Sequence, residues 1–197
     1  MLNTTTPSNR LFRQPTWLAL LVTVVGVVFS ANAAGQSAGL GELKAAFLFN
    51  FSKFIEWPES AFADPASFTI GVMGDDRVVY ELNEIVMGKK IGKRSVTPKR
   101  LAAKDSPAGV QILFIGAGER TRLPAILQSV QGANVLTVSD LDQFCAIGGA
   151  IQFGLDHDRM RFDVNIAVTD RAGLTINSKL LTLARGVIGA RESGGPQ

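Results

Sequence analysis

Residues 110–116, VQILFIG, form the most continuous apolar run of the chain beyond its first thirty residues. That is strand length and too short for a helix buried on every side. A strand without polar alternation must be covered on both faces, which is the habit of a central strand in a parallel sheet. Two more apolar segments flank it, FTIGVMG at 68–74 and NVLTVSD at 134–140. Between them, DDRVVYELNEIV at 75–86 reads as a helix with Asp75 near its start. A second helix is expected over 120–130, with Pro124 in its first turn. Strand, helix, strand, helix, strand predicts a single-domain layered α/β fold, with a mostly parallel sheet and helices on its faces.

The pattern changes near residue 150. AIQFGL and MRFDVNIAV alternate strictly. Ile151, Phe153 and Leu155 share one face, as do Met160, Phe162, Val164, Ile166 and Val168. DHDR between them is a turn, so a C-terminal antiparallel hairpin is predicted. INSKLLTLARGVI, 176–188, predicts a closing helix capped by Asn177 or Ser178. Its apolar side is Leu180, Leu181, Ala184, Val187 and Ile188. MGKKIGKRSVTPKRL, 87–101, predicts a turn and a polar strand at a sheet edge, where Pro98 is tolerated. The domain is expected over 43–188, with a flexible lead-in at 34–42 and a tail at 189–197.

The start of the chain follows other rules. Residues 1–16 carry Arg10 and Arg13 and no acid, 17–29 are wholly apolar, and SANAAGQSA follows with Ala31 and Ala33 as an A-x-A site. Basic, apolar and small in that order is the pattern of a secretory signal peptide, so 1–33 is expected to be cut after Ala33. The apolar run falls short of the roughly 20 residues that span a bilayer, which disfavours an uncleaved anchor. Without this leader, 18 Lys and Arg stand against 17 Asp and Glu. The sequence pI near 9.2 is therefore no argument for nucleic-acid binding. The charge is uneven all the same, because seven Lys and Arg fall within 89–104. Such a stretch suits an acidic partner or lipid headgroups, or simply an edge strand protected by Lys. One cysteine, Cys145, and one histidine, His157, exclude an internal disulfide, a Cys-based zinc site and any site needing two His.

FLFNFSKFIEWP, 47–58, concentrates five aromatics. Residues 41–57 read as a helix on which Leu43, Phe47, Phe51, Phe54, Ile55 and Trp57 fall within one arc, ending before Pro58. A strand reading explains only Phe47, Phe49 and Phe51. In the helix, Asn50 is expected inside the apolar arc. Phe49 is expected on the far side, exposed beside Lys53 and free for a protein contact.

No catalytic motif stands out. Gly116 and Gly118 follow a strand and precede a helix. With Gly74 they form strand-end loops suited to a small ligand, although Thr121 stands where a dinucleotide fingerprint has its third glycine. Asp75 and Asp76 read as helix-capping residues. Asp156, His157 and Asp158 read as a solvated turn, and no metal or other cofactor is expected. Cys145 has no base nearby in sequence. On the hairpin, Arg161, Asp163 and Asn165, with Gln152 across from them, suit either a cross-strand ladder or a recognition surface.

Several stretches together resemble the YfiR family of small periplasmic regulators: LKAAFLFNFSKFIEWP, VQILFIG, VLTVSD, GGAIQFGLDHDRMRFDVNIAV and GLTINSKLLTLAR. The resemblance runs from Leu43 to Arg185. It implies a binding protein without enzymatic activity that represses an inner-membrane diguanylate cyclase through its periplasmic domain. It also implies relief by a YfiB-like outer-membrane lipoprotein, and leaves a homodimer open. Better known members carry disulfide cysteines. Cys145, just before Gly148 and Gly149, cannot form those internal bridges. The expected contacts are Phe49, Lys53, Arg161, Asp163 and Asn165. The alternative is a periplasmic small-ligand binder using Gly74, Gly116 and Gly118.

Overall fold

The computed structural model describes residues 39–157 and 159–189; the expected cleavage site at Ala31 and Ala33 and the segment from 190 lie outside them. A helix, α1, covers 39–54. There follow β1 (Ile55–Glu56), β2 (Ser67–Met73), α2 (Asp76–Val86), β3 (Lys90–Ile91), β4 (Arg94–Arg100), β5 (Ile112–Ile115), α3 (Leu123–Ser129) and β6 (Leu136–Ser139). The last part holds β7 (Ile151–Asp156), β8 (Arg159–Asn165), α4 (Ile166–Arg171), β9 (Thr175–Ile176), α5 (Ser178–Leu183) and β10 (Gly186–Ile188).

Eight strands form one sheet in the order β10-β8-β7-β6-β5-β2-β4-β3. Every neighbouring pair is parallel except the β7–β8 hairpin and the β4–β3 edge. β5 lies between β2 and β6 with all four residues buried to 0 % exposure, as the unbroken apolar run requires. Its side chains alternate between two cores. Ile112 and Phe114 join α1, α2 and α5, while Leu113 and Ile115 join Leu123, Ile126 and Leu127 of α3. The polar, basic β4 lies one place in from the edge, with only the two-residue β3 outside it.

The aromatic stretch is the centre of the first core. Phe51 is 1 % exposed, and its ring centroid lies 5.2 Å from Phe162, 5.8 Å from Phe153 and 6.0 Å from Phe47. These rings fix α1 on the apolar face of the hairpin. Trp57 ties down the next segment. Its indole donates to the Gln111 carbonyl at 3.1 Å, while the buried Gln111 side chain accepts from Thr69 N and donates to the Ala61 carbonyl, each at 2.7 Å.

Four expectations are corrected. α1 ends at residue 54 and not at Trp57, because Ile55 and Glu56 pair antiparallel with Ile176 and Thr175 of β9. Asn50 is exposed and accepts from Lys53 Nζ at 3.0 Å, outside the apolar arc where it was expected. β8 stops at Asn165, whose side chain caps α4 by accepting from Val168 N at 3.2 Å, so Ile166 and Val168 are helical. The closing helix spans only Ser178–Leu183, with Asn177 as its cap; Gly186–Ile188 turns extended and pairs parallel with β8. Val187 and Ile188 thus leave the predicted helix face for the edge of the sheet.

Candidate partner-binding surface and the crevice at the strand ends

α1 and α5 meet the hairpin along a groove. Phe47, Asn50, Phe51, Phe54, Phe162, Leu180 and Leu183 line a cavity of about 310 Å³ there. Leu183 is 57 % exposed at its rim. After α5 the chain forms the open edge strand β10, where Val187 stands beside Val164 by register and is 42 % exposed. An apolar groove beside a strand with one unpaired backbone side can seat a side chain and add a strand.

A latch holds this edge in place. Arg185 N donates to the Phe162 carbonyl at 2.8 Å, and its guanidinium Nε donates to Asp163 Oδ1 at 3.1 Å. The guanidinium passes over Gly154, where an added Cβ would stand 3.0 Å from it and would push it aside by a few tenths of an ångström. Asp163 is thus committed to Arg185. Asn165 is committed too: besides capping α4 it donates to the Cys145 carbonyl at 2.9 Å. Gln152 completes the set by accepting from Cys145 N at 3.2 Å. Of the three hairpin residues expected to meet a partner, Arg161 alone is exposed.

The exposure expected of Phe49 is also corrected. It is 6 % exposed, under the ammonium groups of Lys53 at 4.2 Å and Lys89 at 4.9 Å from the ring centroid. A helical wheel supposes one packing partner; here the loop after α2 covers a second side of α1. Lys53 itself is exposed.

The three glycines of the alternative site lie where they were expected. Strand order reverses between β2 and β5, and the loops after those strands face one another at the crevice where open α/β sheets bind ligands. The two loops meet tightly at Gly74 and Gly116, while a cavity of about 330 Å³ opens beside Gly74, lined also by Asp76, Arg100, Leu101, Ala102, Ala103 and Glu119. A Cβ on Gly116 would stand 2.7 Å from the Gly74 carbonyl, so the glycines serve the close approach of two backbones. Their donors are engaged: Gly116 N with the Met73 carbonyl at 2.8 Å, and Gly118 N with the Gly74 carbonyl at 3.4 Å.

Lys44 of α1 fills the mouth, 3.2 Å from Asp75 Oδ2 and 2.7 Å from Asp140 Oδ2. Burial opposes its charge, but Asp140 and then Asp75 outweigh it and hold the ammonium above its usual pKa. Asp75 also caps α2, accepting from Val78 N at 3.2 Å, and Asp76 pairs with Arg100.

Cys145 is 2 % exposed. Burial, and then the nearby Asp163 charge, push its thiol up to about 11, far from a nucleophile's range. Asp156 and His157 form an exposed pair in the hairpin turn. Among the described residues no cluster of His, Cys, Asp and Glu could hold a metal ion. No helix among them is long and apolar enough to cross a membrane.

The groove, Leu183 and the β10 edge were missed by sequence reasoning. The available signal was Arg185-Gly186, which interrupts the helical pattern just before Val187.

A family model described as YfiR/HmsC-like (DUF4154) matches residues 41–185. Among solved structures, similarity is found to an ABC domain from Streptococcus pneumonia in complex with L-Trp, at 12% identity and TM-score 0.48, covering 66% of this chain and 58% of that one. A conserved domain protein from Vibrio cholerae O1 biovar El Tor gives 12% identity and TM-score 0.46, with 63% and 56% covered. The chain thus spans less than two thirds of either structure.

Proposed function

This chain belongs to the YfiR/HmsC-like family, and from that membership we propose that it represses an inner-membrane diguanylate cyclase by binding the cyclase's periplasmic domain. The family is periplasmic, regulatory and non-catalytic, and is tied to diguanylate cyclase signalling. The match over 41–185, nearly the whole described body, carries the reading. The finer steps are ours: export through the leader at 1–33, docking on the cyclase, a lower cyclic-di-GMP level and less biofilm, with relief by a YfiB-like lipoprotein.

The groove between α1 and α5 is the proposed docking place, with Leu183 at its rim and β10 beside it. Arg161 is exposed and available to steer an acidic partner, whereas Asp163 and Asn165 act through the positions of Arg185 and of the Cys145 loop. Repression then needs only differential affinity. A regulator that binds the inactive sensor 100-fold better than the active one shifts that equilibrium by about 2.7 kcal/mol.

The test is capture from solubilised inner membrane, with wild type and Leu183→Asp compared. Wild type is expected to retain a membrane cyclase. Leu183→Asp is expected to lose it while keeping its melting temperature, because Leu183 is mostly exposed. Equal capture by both would move the docking place elsewhere; no cyclase with either would remove the function.

A further inference from the structure

A second surface lies at the opposite corner of the molecule from the crevice. α1 runs from Lys44, at the carboxyl ends of the parallel strands, to Lys53 at their amino ends. α2 delivers the chain to the same amino end, where Lys90 pairs with Ser95 and Ser95 with Ser67, the first residue of β2. Residues 87–93, MGKKIGK, therefore form a short turn and strand beside the end of α1.

Lys53 and Lys89 share the ring of Phe49, 4.2 Å and 4.9 Å from its centroid, so their ammonium groups lie within about 9 Å of each other. Lys90 and Lys93 are exposed on the adjoining turn. None of the four joins an ion pair among the described residues; the nearby Glu59 is taken by Arg94 at 2.7 Å. Amid these charges Met87 is 75 % exposed, the most exposed large apolar side chain among the described residues.

We propose that this end of the sheet, with Lys53, Lys89, Lys90 and Lys93 around Met87, docks on an anionic phospholipid surface. The composition selects that occupant over an acidic protein. Specific protein interfaces are depleted in Lys and centred on packed aromatic and Arg anchors. Here the cations are all lysines on flexible stems, and the one apolar group is an unbranched side chain. A fluid layer of phosphates takes such charges without fixed geometry, and a lone apolar tip can enter the headgroup zone. Docking there would hold the protein at the membrane with the groove at α5 free. The proposal does not depend on the cyclase reading, because lipid binding is measured without any cyclase.

The test uses the chain purified from the periplasm of expressing cells and vesicles of phosphatidylcholine, either alone or with about a third phosphatidylglycerol. Each lysine at such a surface is worth roughly a fivefold change in partition at low salt. Sedimentation should show binding to the anionic vesicles that fades as salt shortens the Debye length. The triple variant Lys89→Gln, Lys90→Gln, Lys93→Gln should lose about 100-fold, and Met87→Ser several-fold. All of these side chains are exposed, so unchanged melting curves will show that the variants fold. Equal binding to neutral and anionic vesicles, no binding to either, or an unaffected triple variant would overturn the proposal. So would capture of an acidic protein that depends on the lysines while vesicles fail.

Discussion

Phe51→Ala is the substitution with the clearest expected cost. The ring is 1 % exposed and sits among Phe47, Phe153 and Phe162 at centroid separations of 5.2–6.0 Å. Emptying a buried Phe site costs about 3–5 kcal/mol, counting both lost transfer energy and the cavity left behind. The upper half of that range is expected here, because a stacked, an edge-on and a tilted ring contact go with it. For a domain of this size, 4 kcal/mol lowers the melting temperature by about 8–16 °C. Phe54→Ala makes the control: its ring is half-buried at the groove, so it should cost under about 2 kcal/mol while weakening partner capture. Circular dichroism melts and urea titrations of both variants measure the difference. A Phe51→Ala protein within about 1 kcal/mol of wild type, or one less destabilised than Phe54→Ala, would refute the claim that α1 is fixed by this aromatic centre.

The crevice and the thiol make further predictions. Gly116→Ala should destabilise by about 1–3 kcal/mol in the same melts, because its Cβ meets a backbone carbonyl that cannot move aside; a neutral result would mean that the loops are loosely apposed. Lys44→Ala leaves Asp75 and Asp140 facing each other without their cation and should cost about 2–4 kcal/mol. Adding Asp140→Asn should recover part of that, and strict additivity would disprove the coupling. Cys145 should react slowly with thiol reagents until the protein unfolds. Its folded thiol keeps its proton to about 11, against 9.0 ordinarily, so the folded state binds more protons in that interval. Stability should fall as pH rises from about 9 to about 11, and Cys145→Ser should flatten that slope. Lys44, held above its usual 10.5, begins its own loss near that value, so it adds to the fall at the upper end of this range and beyond it.

The sheet was legible because its strands announce themselves chemically. β5 is apolar on both sides and lies in the middle; β7 and β8 alternate and have one wet face. Element ends were less legible where a distant strand competes for the backbone. Ile55 and Glu56 fit the helical pattern, yet pairing with β9 draws them out of α1. Leu180, Leu181, Ala184, Val187 and Ile188 keep helical spacing, yet the open edge of β8 offers Gly186–Ile188 a ladder that outweighs it. Such pairings depend on residues far away in sequence and leave no local mark. The groove between α1 and α5 stayed hidden for the same reason, because it exists only once α5 is short. Phe49 shows the reverse case: a residue that looks exposed on a wheel is covered by Lys53 and Lys89. Of the hairpin set, the partnerships of Asp163 with Arg185 and of Asn165 with Cys145 separate structural roles from contacts, and both span distant positions.

Cyclic-di-GMP synthesis in membrane vesicles that carry the captured cyclase, with the purified chain supplied on the periplasmic side, addresses the central claim most directly. A saturable fall in synthesis is expected with wild type and little fall with Leu183→Asp. Synthesis indifferent to the chain at any concentration, or consumption of a substrate by the chain itself, would contradict it.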